Sequence, residues 1–116
     1  LVEQALQNKA NEKEKKKMRR TNIGGGGWFD SDRAKKYAEA YRWNGNNHIS
    51  VATGTQWDHE RLYHSAKGQY ILHRWSQWQG SGQSYERLDE EEAFAWLINN
   101  GHSDAIPPDA LANAEV

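Results

Sequence analysis

The sequence predicts a small α+β domain, an antiparallel β-meander closed by a C-terminal helix, behind a disordered basic N-terminal tail. Three observations carry this prediction. Leu62–Gln79, "LYHSAKGQYILHRWSQWQ", reads as strand, tight turn, strand. "LDEEEAFAWLINNG" has the signals that start and stop a helix. The first 27 residues differ in composition from everything that follows.

Residues 7–22 contain no aromatic or β-branched aliphatic residue, hold seven Lys or Arg, and run into four glycines at 24–27. Such a segment buries too little apolar surface to offset its ordering entropy. It is expected to be a tail over 1–27 with polyglycine as its linker. That places the α+β domain at 28–106 and a C-terminal tail at 107–116. A basic arm for nucleic acid is the competing reading of the tail. Met18 is the only methionine and follows a Lys/Glu-rich run. It is expected to be the native start, with 1–17 as translated leader. From Met18 onward ten Lys and Arg face thirteen Asp and Glu, a net of −3. A mildly acidic body does not favour a phosphate backbone.

Between Trp28 and Ile106 there are thirteen Trp, Tyr and Phe against nine Ile, Leu and Val. A core built mainly of aromatics, whose polar ends need partners, suits a thin sheet better than a helical bundle. For 31–43 a helix and a strand both fit. The favoured reading is a turn at "DSD" leading to an edge strand with Tyr37, Glu39, Tyr41 and Trp43 alternating. "HISVATGTQWDHE" follows as a loop with a short strand near Ile49–Val51. "RLYHS", "AKG" and "QYILHRWSQW" form a hairpin whose Gly68 supplies the positive φ of its turn. "SYERL" is a third short strand. Asp89 as N-cap with Glu92 three residues later predicts a helix over 90–99. Its apolar stripe is expected to run through Ala93, Phe94, Trp96, Leu97 and Ile98, and Pro107-Pro108 bars continuation.

On the long second strand of the hairpin, Tyr70, Leu72 and Trp78 are expected on one face, with Ile71, His73 and Trp75 on the other. One helix covers one face. Either the region before residue 60 covers the second face, which is the favoured reading, or Trp75 and its neighbours form a recognition surface. On the latter reading Trp75, His73, Ile71, Trp78 and Gln77 are the partner-binding residues, because Trp is enriched at binding hot spots and Gln offers adaptable hydrogen bonds.

The segments around Phe29, Asp30 and Ala34, then Glu60, Leu62, Tyr63, Ser65, Gly68 and Tyr70, then Ala93, Trp96 and Leu97, resemble a group of small bacterial, plasmid and phage proteins. The resemblance spans about residues 28–102. It implies a mobile-element setting and transfers no catalytic residue.

The functional expectation is a non-catalytic module that binds a protein partner through an aromatic-rich sheet face, with no cofactor, no metal and no membrane. The first alternative is a small metal-dependent hydrolase or nuclease using His59, His64 and His73 with Asp58 and Glu60. Strand parity separates those histidines, so hydrogen-bonded His in a polar sheet is the simpler reading. A second alternative is binding of single-stranded nucleic acid on the aromatic face. Glu90, Glu91 and Glu92 are explained by helix capping. With no Cys, thiolate chemistry and disulfides are excluded. No apolar run reaches the ~18 residues of a membrane span, and a cytoplasmic setting is expected.

Overall fold

The computed structural model describes residues 19–78, 80 and 82–116. The expectations for the tail up to residue 18, including a start at Met18, lie outside the described residues. The glycines at 24–27 are not a linker. They turn a β-hairpin between Arg20–Asn22 (β1) and Trp28–Asp30 (β2), in the register Arg20↔Asp30 and Asn22↔Trp28. Gly25, Gly26 and Gly27 have φ of 88°, 108° and 93°, where a Cβ is strained. Gly24 N–H donates to Tyr85 O at 2.7 Å, which fastens the turn to a distant strand.

The folded domain therefore starts before residue 28. Ile23 and Phe29 are buried at 6% and 5% exposure, against Tyr63 and Ile71. Their burial offsets the ordering entropy that composition alone assigned to disorder. Deleting residues 1–22 removes β1 and is expected to lower the melting temperature. An unchanged melting curve would show that the hairpin adds nothing to stability.

Lys35–Ala38 (β3) is the edge strand. Tyr41–Trp43 (β4) and His48–Ser50 (β5) make a separate hairpin, whose turn is closed by Asn44 Oδ1 accepting from the N–H groups of Asn46 and Asn47. Asp58–His64 (β6), Tyr70–Ser76 (β7) and Ser84–Leu88 (β8) form the meander. The main sheet has the order β3–β6–β7–β8 with every pair antiparallel. Gly68 turns β6 into β7 at φ 85°, as its position predicts.

Residues of one parity, Leu62, Tyr70 and Leu72 with Tyr37 of β3, face the helix Glu90–Asn99 (α1). Ala93, Trp96 and Leu97 of α1 pack on them together with Ile106. The other parity sends Tyr63 and Ile71 beneath the β1–β2 hairpin. The sheet is thus covered on both sides, by the helix and by a hairpin of glycine-rich origin. The α+β class and the C-terminal helix stand as the sequence predicts.

The Asp89 carboxylate accepts from Glu92 N–H at 2.8 Å, satisfying one of the unpaired donors of the first turn. Asp89→Ala is expected to cost about 1 kcal/mol in a urea titration. After α1, Ser103–Ala105 forms a 3-10 turn. Residues 107–116 are not simply a tail, because Pro108–Ala114 is a second short helix (α2). Pro108 opens it at the first helical position, where the missing N–H costs nothing.

Candidate functional site

Two neighbouring features of the sheet carry the unusual chemistry. The first is a buried carboxylate. Glu39 lies between β3 and β4, and its side chain is 3% exposed. Its Oε2 accepts from Ser50 Oγ at 2.8 Å and from Glu60 N–H at 2.6 Å, while Oε1 lies 2.6 Å from His59 Nδ1. Burial pushes the Glu39 carboxyl up. Hydrogen bonds from the Glu60 backbone, Tyr41, His59 and Ser50 outweigh it and hold the carboxyl below the ordinary value of 4.5. For Tyr41, burial first and then the adjacent Glu39 push the hydroxyl up to about 12.

An ionised carboxylate only accepts, so Nδ1 of His59 is the donor of this contact. The Nε2 of the same ring is buried and has no hydrogen-bond partner among the described residues. A carboxylate-held imidazole of this kind is the orienting half of a nucleophile-activating triad. As it stands the pair polarises no hydroxyl through Nε2. Its visible work is structural: one carboxylate ties β5 and β6 to the β3–β4 corner.

The second feature is a row of rings on the same face. The register pairs His59 with Trp75 and Arg61 with His73. The ring centroids of His59 and Trp75 lie 5.5 Å apart, those of Trp75 and His73 4.6 Å, and those of His73 and Tyr85 4.2 Å with planes 3° from parallel. The Arg61 guanidinium sits over Trp75 at 5.1 Å. Burial pulls the His73 pKa down, the Gln83 contact raises it, and the Arg61 charge lowers it further. The net direction favours the neutral ring, with Nε2 2.8 Å from Gln83 Oε1.

The five residues expected to bind a partner are divided by this arrangement. Ile71 is fully buried in the second core, and His73 is buried among Trp75, Tyr85 and Gln83. Neither presents a surface, because the N-terminal hairpin and β8 cover the face that the strand pattern left open. Trp75 is half-buried. Gln77 and Trp78 are exposed and lie beyond the end of β7, so Trp78 does not share the Tyr70–Leu72 face of the strand.

Trp78 packs instead on Trp57, with ring centroids 5.0 Å apart and planes at 44°. The pair is exposed at 58% and 41% respectively. Gln77 N–H donates to Trp57 O at 2.9 Å, and Trp57 N–H to Thr55 Oγ1 at 3.2 Å, so the backbone carrying the pair is held. A shallow hollow of about 260 Å³ near the same end of the hairpin is lined by His59, Trp75, Asp58, Glu60 and Arg74. Arg74, the one Lys or Arg among its described lining residues, is already shared by Glu60 at 2.9 Å and Glu86 at 3.5 Å.

Trp57 and Glu39 are the site residues that sequence reasoning missed. Continuing the hairpin register one step past Asp58↔Ser76 places Trp57 opposite Gln77, a signal that was present in the spacing. The histidines of the first alternative are not all on one face, as strand parity indicates. His64 faces away from His59 and stacks on Tyr70 at 4.3 Å. Among the described residues no three His, Asp or Glu side chains are grouped to hold a metal ion. No helix among them is long and apolar enough to cross a membrane. Comparison with protein-family models, with curated proteins and with solved structures found no match to this chain.

Proposed function

We propose that this protein is a non-catalytic interaction module that binds a protein partner through the Trp57–Trp78 pair, with Gln77 and the half-buried Trp75 beside it. The observation that carries the reading is the pair itself. Two indoles hold each other in water on an anchored backbone, although each has an exposure that a folding core would not leave. Preformed aromatic surface of this kind binds with little further loss of side-chain entropy.

A protein partner is favoured over nucleic acid by charge. The adjoining hollow offers Asp58 and Glu60, and Arg74, the one cation among its described lining residues, is already committed to two carboxylates. Phosphate binding needs uncompensated Lys or Arg. The resemblance to small plasmid and phage proteins suggests a mobile-element setting.

The test is affinity capture with the full chain and with a Trp57→Ala/Trp78→Ala double variant. Exposed substitutions are expected to change stability by less than about 0.5 kcal/mol each. Loss of a hot-spot pair is expected to weaken capture of a specific protein by roughly thirtyfold or more. Equal retention by both baits would sink the reading. Salt-sensitive quenching of Trp fluorescence by a single-stranded oligonucleotide would replace the partner class. The hydrolase alternative rests on His59, His64 and His73 with Asp58 and Glu60, and stoichiometric metal in untagged protein would favour it.

A further inference from the structure

A second hollow, of about 450 Å³, lies between the β1–β2 hairpin and the turn joining β6 to β7. Trp28, 48% exposed, is the apolar surface it presents, over a floor formed by the buried Ile23, Phe29 and Ile71, and its polar lining holds Arg33, Lys67 and Arg87. The single carboxylate among the lining residues, Asp30, is committed. It accepts from the N–H groups of Arg19 and Asp32, each at 3.0 Å, and pairs with Arg33 at 3.4 Å. Arg87 donates one nitrogen to Gly26 O at 3.2 Å. Neither Arg87 nor Lys67 has a carboxylate partner among the described residues.

We propose that this hollow binds a small aromatic monocarboxylate. Its volume falls in the range of small-molecule sites, and apolar walls with a few convergent polar groups are their usual composition. The chemistry on each side narrows the ligand. A fully polar anion would waste the exposed indole of Trp28. A neutral apolar ligand would take water from Arg87 and Lys67 and return no partner. A carboxylate matches the planar fork of Arg87, with Lys67 as a second charge. A flat ring suits a hollow whose exposed apolar surface is the Trp28 indole. The site exists because the glycine turn folds the β1–β2 hairpin back onto Ile71, so it is built by the segment that composition assigned to disorder.

The test titrates the full chain with indole-3-acetate and, as an uncharged match, indole-3-acetamide. Calorimetry gives the affinity, and backbone amide chemical shifts give the location. Saturable one-to-one binding of the acid is expected, with shifts confined to Gly24–Phe29 and Ser65–Gln69. The amide is expected to bind about tenfold more weakly or worse. Lys67→Gln removes an exposed cation with no partner among the described residues. It is expected to weaken the acid severalfold with an unchanged melting curve. Arg87→Gln is expected to weaken it about tenfold. Equal binding of acid and amide would overturn the proposal. So would wild-type affinity in both variants, shifts centred on Trp57 and Trp78, or no saturable binding at millimolar acid.

Discussion

Glu39→Ala is expected to destabilise the fold by roughly 3–5 kcal/mol, one of the two largest effects of any single substitution proposed for this chain. The carboxylate satisfies the Glu60 N–H, the Ser50 hydroxyl and the His59 Nδ1–H at once. Truncation leaves all three facing a hole, and each buried unsatisfied donor costs about 1–3 kcal/mol, less where water enters. Glu39→Gln does not restore the site, because half of the amide is an NH2 group aimed at donors. The effect has a pH signature with a definite sign. The folded-state pKa of Glu39 lies below its ordinary 4.5, so its stabilisation is fully present above that value and is lost as pH falls through the folded pKa. Urea titrations of wild type and Glu39→Ala are therefore expected to differ most at neutral pH and to converge in acid below about 4.5. A gap that stays constant down to pH 3, or no gap at pH 7, would show that the ionised carboxylate is not what holds β5 and β6 to the β3–β4 corner.

The parts of this fold that were legible in the sequence are those whose cause is local. Asp89 and Glu92 signal a helix start within four residues, and Gly68 signals a turn between two strand patterns. The two-faced β7 was legible from parity, including the split of Tyr70 and Leu72 from Ile71 and His73. What covers the second face was not. Ile23 and Phe29 are single apolar residues beside four glycines, and their value comes from Tyr63 and Ile71 some forty residues away. Composition is blind to that partnership, and so it returned a disordered linker. Glu39 fails in the same way. It sits between two alanines, and its partners lie 11, 20 and 21 residues downstream. Nothing near it in sequence marks a buried charge. Trp78 failed for a simpler reason, because strand parity was extended past Ser76, where the strand ends.

Trp96→Ala is expected to cost about 3–5 kcal/mol, the range for emptying a buried indole from a core. The ring is 8% exposed within the cluster of Leu62, Leu72, Ala93, Leu97 and Ile106. Two further contacts raise the cost of its loss. Its Nε1–H donates to Glu60 Oε1 at 2.9 Å across to β6, and its ring lies nearly parallel to His102, 6.3 Å between centroids. His102 in turn reaches Ala38 O at 2.7 Å through Nε2, so the indole backs a link from the helix end to the edge strand. Trp96→Phe separates the two parts. It keeps much of the buried area but takes one donor from Glu60, whose carboxylate retains Arg74, so its cost is expected nearer 1–2 kcal/mol. Ile98→Ala is the control, since that side chain of the same helix is 40% exposed. Urea midpoints are expected in the order Ile98→Ala, Trp96→Phe, Trp96→Ala, from most to least stable. Helix propensity does not produce this order, because Ile→Ala raises propensity and Trp→Ala raises it too. Burial against the sheet, with the Glu60 and His102 contacts, distinguishes the two alanine variants. If Trp96→Ala were no more costly than Ile98→Ala, α1 would not be the cover of the Leu62–Leu72 face, and the sheet would need another source of its stability.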